Sequence, residues 1–228
     1  MILVTGGTGL VGSHLLFELT RQGSKVRALK RSTSDINLVT RLFHYYSSSP
    51  GNQLNLIEWV DGEVEDYWSV EEALKGVDEV YHCAAIVSFA GKDYKKLLRV
   101  NVQGTANVVD ASLNQGIKKF CHVSSVASLG TSVGNNMVDE LTSWVKSKGK
   151  SGYATSKFLS EMEVWRGIEL GLNAVIVNPS VIIGPGQWDR GSGLLFKSIS
   201  NGFPFYTQGV TGYVGARDVV NAMTIAVK

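Results

Sequence analysis

The chain has 228 residues, with 22 Lys and Arg against 20 Asp and Glu, a formal net charge of +2. That balance gives no electrostatic argument for nucleic acid or an anionic membrane surface, and 44% hydrophobic with 18% charged residues exclude a disordered chain. Glycine is the outlier, 25 residues against 4 prolines, so the excess belongs to particular turns and not to low complexity.

In chain order, short β-branched runs alternate with helical patterns. Ile2–Val4 reads as a strand and Leu10–Gln22 as a helix with Leu15, Leu16 and Leu19 on one face. Lys25–Leu29 is the second strand and Asp35–Tyr46 a helix. A turn over Ser47–Asn52 leads to the third strand, Leu54–Val60. Ser69–Lys75 is a short helix and Glu79–Cys83 the fourth strand. Tyr94–Gln115 is a long helix stopped by Gly116, and Lys118–Ser124 the fifth strand. After a loop from Val126 to Ser151 comes a helix from about Gly152 to Leu170, stopped by Gly171, then the sixth strand, Ala174–Val177. Buried Val, Ile and Leu runs separated by helices specify a doubly wound α/β fold with a parallel sheet covered on both faces. Beyond Pro179 glycines crowd the sequence, and the tail reads as loops and short helices draped over that sheet.

No run approaches the ~18–20 apolar residues of a membrane span. The start, Met1–Thr5, lacks the basic stretch of a secretory leader, so a cytoplasmic location is expected. Cys83 and Cys121 lie in apolar strands and read as free buried thiols. Neither they nor His14, His44, His82 and His122 show metal-ligand spacing, and no metal is expected.

Three patterns carry chemistry. Thr5-Gly6-Gly7-Thr8-Gly9-Leu10-Val11-Gly12 follows the first strand and opens the first helix. Glycines there permit a tight turn, close approach of backbone to a pyrophosphate, and close helix–strand packing. Helix-start amides then hold the anion. At the end of the second strand, Leu29-Lys30-Arg31-Ser32 has no acid to accept ribose hydroxyls, whereas Arg31 suits a 2′-phosphate. NADP is therefore expected over NAD, with surface solvation of Lys30 and Arg31 as the plainer alternative. Finally, Tyr153-Ala154-Thr155-Ser156-Lys157 sets a phenol and an ammonium one helical turn apart, 28 residues after Ser125. A nearby cation would stabilise the phenolate. Ser124 and Ser125 end the fifth strand, at the sheet edge where ligands bind.

These motifs together resemble an extended short-chain dehydrogenase/reductase of the NAD-dependent epimerase/dehydratase group, across essentially the whole chain. The glycine turn, Gly62-Glu63-Val64-Glu65-Asp66, His82-Cys83-Ala84-Ala85, Asn101-Val102-Gln103-Gly104-Thr105-Ala106-Asn107, Asn178-Pro179-Ser180 through Gly184-Pro185-Gly186, and Arg217-Asp218-Val219 occur in family order. Val26–Arg31 and Gly212–Asp218 are similar to the dihydroflavonol-reductase-like and 3β-hydroxysteroid-dehydrogenase-like branch. The resemblance implies a Rossmann fold over residues 1–177 and a partial, loop-rich substrate lobe over 178–228, from a truncated chain or one with an open pocket. It implies Tyr153 as proton donor or acceptor, Lys157 as its tuning cation and a ribose contact, and Ser125 as the group orienting the reacting oxygen. Gly6, Thr8, Gly9, Leu10, Val11, Arg31, Glu63, Val64, Ala84, Ala85, Asn101, Ser124 and Pro179 would border the cofactor. Glu63 stands where the family usually has Asp. Ser124 would face the cofactor, and Asn101 would hold helix geometry or a water.

Two activities are expected from this set, reduction of a ketone or aldehyde and nucleotide-sugar epimerisation or dehydration. A non-catalytic nucleotide-binding protein is the third reading. Ile86, Val87, Ser88, Phe89, Trp144, Gln187, Trp188 and Phe203–Tyr206 suggest an apolar, aromatic or alicyclic small-molecule substrate, though core packing explains each singly. The resemblance also implies a homodimer through the helices 94–115 and 152–170.

Overall fold

The computed structural model describes residues 1–130, 138–142, 144–145, 149–189, 191–202, 204 and 211–228. Six parallel strands form the central sheet: β1 (Ile2–Thr5), β2 (Val26–Lys30), β3 (Ile57–Asp61), β4 (Glu79–His82), β5 (Lys119–Val123) and β6 (Ala174–Val177). Their spatial order is β3-β2-β1-β4-β5-β6. The helices are α1 (Leu10–Arg21), α2 (Asn37–Tyr46), α3 (Gly51–Leu54), α4 (Tyr67–Ala73), α5 (Tyr94–Leu97), α6 (Gly104–Asn114), α7 (Gly152–Glu169), α8 (Gly193–Ser200) and α9 (Ala216–Ala226).

Both faces of the sheet are covered, which is why its strands keep apolar residues on either side of the pleat. On one face Leu3, Val80 and Phe120 join Val70 of α4, Val108 of α6 and Val164 of α7. On the other, Val4, Tyr81 and Cys121 join Leu16 of α1, Phe43 of α2 and Met223 of α9. The six expected strands and the doubly wound topology are present. Three details differ. A short helix, α3, occupies part of the expected turn at 47–52. The expected helix 94–115 is interrupted by a π-helical stretch, Leu98–Gln103, between α5 and α6. The tail holds a second, two-stranded parallel sheet of β7 (Val181–Ile183) and β8 (Tyr213–Gly215), with Ile182 opposite Val214.

Register places Thr5 beside His82 and His82 beside His122 at the carboxyl ends of β1, β4 and β5. Each lies two residues beyond Leu3, Val80 or Phe120 and so continues the face covered by α6 and α7. The apolar core on that face therefore ends in a polar row. The two imidazoles stack with centroids 5.3 Å apart. Burial holds His122 well below its usual pKa of 6.5, and neither ring nitrogen has a hydrogen-bond partner among the described residues.

His122→Leu removes two unpaired buried polar atoms and should raise the unfolding free energy by about 1–3 kcal/mol. The unfolded chain takes up a proton below the ordinary pKa of 6.5 that folded His122 refuses. Wild-type stability therefore falls as pH drops through that value, and the variant should lose less. Urea unfolding at about pH 7 and about pH 5 checks both expectations.

Candidate functional site

The strand order reverses direction at β1, which has β2 on one side and β4 on the other, so a crevice opens beyond its carboxyl end. The turn after β1 crosses that crevice. Gly6 has φ +69°, and a Cβ there would stand 2.7 Å from the backbone of Ala84. A Cβ on Gly12 would stand 2.2 Å from the Gly6 carbonyl oxygen. Only glycine allows α1 to run so close. Gly9 caps α1 without any side-chain hydrogen bond, so Thr8, Gly9, Leu10 and Val11 border a helix start open to an anion. This cradle fits the pyrophosphate of a dinucleotide.

A chain of hydrogen bonds leads inward from the turn. The Ala84 N–H donates to Thr5 Oγ1 at 3.2 Å, and Thr5 Oγ1 meets His82 Nδ1 at 2.7 Å. His82 Nε2 meets Thr105 Oγ1 at 3.0 Å, and that hydroxyl donates to the Asn101 carbonyl at 2.6 Å. Since Thr105 gives its only proton to Asn101, it accepts from His82. The ring is then the neutral Nε2–H tautomer, with Nδ1 accepting from Thr5. Burial, with Lys157 adding repulsion, lowers the His82 pKa to about 3, which agrees with a neutral ring. Asn101 lies in the π-helical stretch. Its Oδ1 accepts the Ile86 N–H at 2.8 Å, and its Nδ2 donates to the Ile86 carbonyl and to Ser156 Oγ, each at 3.0 Å. The amide clamps the loop after β4 onto α7 and spends both of its N–H donors there. Ala84 and Ala85 begin this loop.

Lys30 and Asp61 are register partners at the ends of β2 and β3 and form an ion pair. Arg31, the next residue, is exposed and makes no salt bridge within 4.0 Å among the described residues. Glu63 is exposed as well, and its backbone is tied to the Ser69 hydroxyl. Val64 is buried, with its carbonyl held by Asn107 Nδ2 at 2.9 Å.

Beyond β5, Ser125 caps the 3-10 turn Val126–Ser128, its Oγ accepting the Ala127 N–H at 3.1 Å. Ser151 caps α7, its Oγ accepting the Ala154 N–H at 3.1 Å, and this sets Tyr153 in the first turn. Ser125 faces the Tyr153 phenol. Burial raises the phenol pKa above its ordinary 10, and the nearby Ser125 hydroxyl offsets part of that rise. Lys157 is buried one turn on and donates from Nζ to the Val123 carbonyl at 2.9 Å. Burial pushes its pKa down to about 8, opposed mainly by Glu161. Pro179 closes this side, its carbonyl accepting the Val126 N–H at 3.1 Å.

Ser124 departs from its expected role. It is buried, and its hydroxyl is taken by Glu161 Oε2 at 2.5 Å and Ser128 Oγ at 3.1 Å, so that group turns to the protein interior and not to a cofactor. Glu161, Ser128 and Asn178 form the rest of that cluster; Asn178 begins one of the motifs named above, whereas Glu161 and Ser128 belong to none of them. The signal is there in outline, for Glu161 continues the Tyr153–Lys157 spacing by one more turn.

On the substrate side, Phe89 is 75% exposed and sits edge-on to Tyr153 at 5.6 Å, with Val87 exposed nearby in the same loop. Ser88 turns its hydroxyl to Asp93 Oδ2 at 2.6 Å. Trp144 stacks on Phe158 at 4.4 Å beneath the Lys150 ammonium, which leaves its ring engaged within the protein. Trp188 is exposed beside Phe196. Of the expected aromatic surface 203–206, residues 203, 205 and 206 lie outside the described residues.

The sequence model of the NAD dependent epimerase/dehydratase family matches residues 2–228. A putative dihydroflavonol 4-reductase of Synechocystis sp. is 33% identical over 228 residues, which are 98% of this chain and 62% of that protein. The crystal structure of gox2253 superposes with a TM-score of 0.84 at 33% identity, over 99% of this chain and 66% of that one. A UDP-glucose 4-epimerase of Thermus thermophilus, solved with NAD, shares the fold with a TM-score of 0.79 at 24% identity, over 99% and 74% of the two chains. The chain thus spans 62% of the Synechocystis relative.

The buried lysine has a thermodynamic signature. The unfolded chain keeps the Lys157 proton up to about the ordinary 10.5, the folded chain only up to about 8, so stability rises with pH between those values. From about pH 7.5 to about pH 10, the unfolding free energy of wild type should gain about 1–3 kcal/mol more than that of Lys157→Met. Urea titrations of both proteins at the two pH values measure the difference.

Proposed function

The chain belongs to the NAD dependent epimerase/dehydratase family, and on that premise we propose that it is a reductase of an apolar, ring-bearing ketone or aldehyde, using NADP in preference to NAD. The observation that carries this reading is the half-buried Tyr153 phenol near the Ser125 hydroxyl, one turn ahead of the buried Lys157 ammonium. The glycine cradle, with Gly6 packed on Ala84, lies at the same sheet edge. The two-domain division at residue 177 and a homodimer through α5–α6 and α7, where Met162 and Trp165 are exposed, belong to the same proposal.

Bound NADPH would supply the hydride for the carbonyl carbon. Gly6–Val11 would hold its pyrophosphate and Arg31 its 2′-phosphate. The Ser125 hydroxyl accepts the Ala127 N–H, which leaves its proton free for the substrate carbonyl oxygen. Tyr153 Oη gives its own proton to that oxygen as it gains negative charge. Burial keeps the phenol protonated until then. At neutral pH Lys157, with a pKa of about 8, is mostly cationic and stabilises the phenolate left behind. In the reverse direction Tyr153 receives the alcohol proton.

Exposed Phe89 and Val87 at the mouth favour an apolar ring over a charged sugar nucleotide. The likeness to a putative dihydroflavonol 4-reductase supports the same choice. Nucleotide-sugar epimerisation would use the same Tyr153 chemistry but return the hydride within one turnover. Steady NADPH oxidation with a dihydroflavonol ketone is the expected result, and tight binding of UDP-sugars without net oxidation would replace the reductase reading by the epimerase one.

Tyr153→Phe should lower kcat by about 10²–10⁴-fold while NADPH binding, followed by its fluorescence, stays unchanged. Arg31→Ala should weaken NADPH binding about tenfold to a hundredfold and leave NADH binding as it was. Wild-type protein that binds NADH as tightly as NADPH would refute the NADP preference.

A further inference from the structure

The turn that carries Ser125 is built around one carboxylate. Glu161 of α7 is 8% exposed. Its Oε2 accepts Ser124 Oγ at 2.5 Å, Ser128 Oγ at 2.6 Å and Asn178 Nδ2 at 2.8 Å, and its Oε1 accepts Trp165 Nε1 at 3.3 Å. The single Ser128 proton serves either Glu161 or the Ser125 carbonyl, which lies 2.7 Å from Ser128 Oγ and 3.3 Å from Asn178 Nδ2. The residues on both sides of Ser125, and its own carbonyl, are thereby referred to a single anion. An amide could not replace it. Donors converge on both oxygens, so glutamine in either orientation would set its NH2 against a donor.

The same carboxylate stands one turn beyond Lys157 and two beyond Tyr153 on one face of α7. The titratable groups facing Lys157 are Glu161 from α7, Cys83 and His82 from β4 and its end, and His122 from β5. Burial raises the Cys83 thiol far above its ordinary range and keeps both imidazoles neutral. Glu161 is therefore the group among them that can offset a buried ammonium.

We propose that Glu161 is a positioning residue for this site: its carboxylate fixes the Ser124–Ser128 turn so that Ser125 meets Tyr153, and from one turn beyond Lys157 on the same face of α7 it supports that ammonium. This rests on the Ser125–Tyr153–Lys157 reading above, and the test separates the two.

Cofactor-free protein with 13C-labelled lysine side chains gives an NMR titration of the Lys157 Cε resonance, assigned by its loss in Lys157→Met. Glu161→Gln should move the midpoint down by about one pH unit. It should also lower kcat for NADPH-linked ketone reduction about tenfold to a hundredfold, with KM for the ketone changed less than about twofold. A folded Glu161→Gln protein, judged by near-UV circular dichroism, with an unmoved midpoint and an unchanged kcat overturns the proposal. Should that variant not fold, Ser128→Ala decides, since it keeps the charge and removes one tie to Ser125. A lowered kcat with an unmoved Lys157 midpoint supports the proposal, and an unchanged kcat overturns it. If wild-type protein reduces no ketone, the reductase reading fails, and the Lys157 midpoint in Glu161→Gln still decides the role of Glu161.

Discussion

Two backbones at the carboxyl edge of the sheet come closer than any side chain would allow, and the rest of the site is measured from that contact. Gly6 lies against Ala84, where a Cβ would fall 2.7 Å from the Ala84 backbone. With the turn seated there, the Thr5 hydroxyl reaches both the Ala84 amide and the His82 ring. His82 reaches Thr105, and Thr105 the Asn101 carbonyl. The Asn101 side chain continues to Ser156, whose hydroxyl donates to the Tyr153 carbonyl at 2.8 Å. An unbroken run of hydrogen bonds thus joins the glycine turn to the helix that carries the phenol. Each member is buried or partly buried, where a misplaced partner costs the full desolvation of a polar group. The geometry is therefore stiff.

The other side of Tyr153 is governed by charge. A lysine with 2% exposure is destabilising in itself, for taking an ammonium out of water costs several kcal/mol unless an anion and hydrogen bonds compensate. Here the compensation is the Val123 carbonyl and the Glu161 carboxylate, and it is partial, since the pKa still falls to about 8. The ammonium sits close to its own deprotonation, and stability is given up to keep it there. His122 adds a further cost with two ring nitrogens that no protein group meets among the described residues. Such concentrations of unfavourable burial are what functional sites look like energetically.

Much of this is legible from residue order alone, and the reasons differ by element. The six strands announce themselves because a two-sided buried strand must be a continuous apolar run, as Ile2-Leu3-Val4 and Ala174–Val177 are. Gly6–Gly12 and Tyr153–Lys157 are legible because their chemistry fixes spacing within one turn or one helix. β7 and β8 are not, because each is three residues long and they are distant in sequence, and a ladder that short leaves no period to read. The π-helical stretch is invisible because it is a change of hydrogen-bond partner and not of composition. Glu161 is hidden because a glutamate on a helix is ordinarily solvated, and only the fold turns this one inward. Trp144 misleads for the opposite reason. An isolated aromatic in a loop before α7 suggests a ligand, while its actual partners are Phe158 and Lys150, and nothing in the local residue order marks them.

The π-helical stretch Leu98–Gln103 has a consequence for how the long segment from Tyr94 to Asn114 is phased. An α-helix turns its side chains by about 100° per residue, so a widened turn puts the two halves out of step. Leu97 on α5 is buried, and the ring of Tyr94 lies where a Cβ on Gly152 would come within 2.9 Å. On α6, Gly104 packs on Val64, and Asn107 binds the Val64 carbonyl. One uninterrupted helix could satisfy only one of these two azimuths. The widened turn works as a rotary coupling that lets α5 face α7 while α6 stays seated on the sheet. It takes up one residue more than an α-helical turn would, and both halves keep their seats.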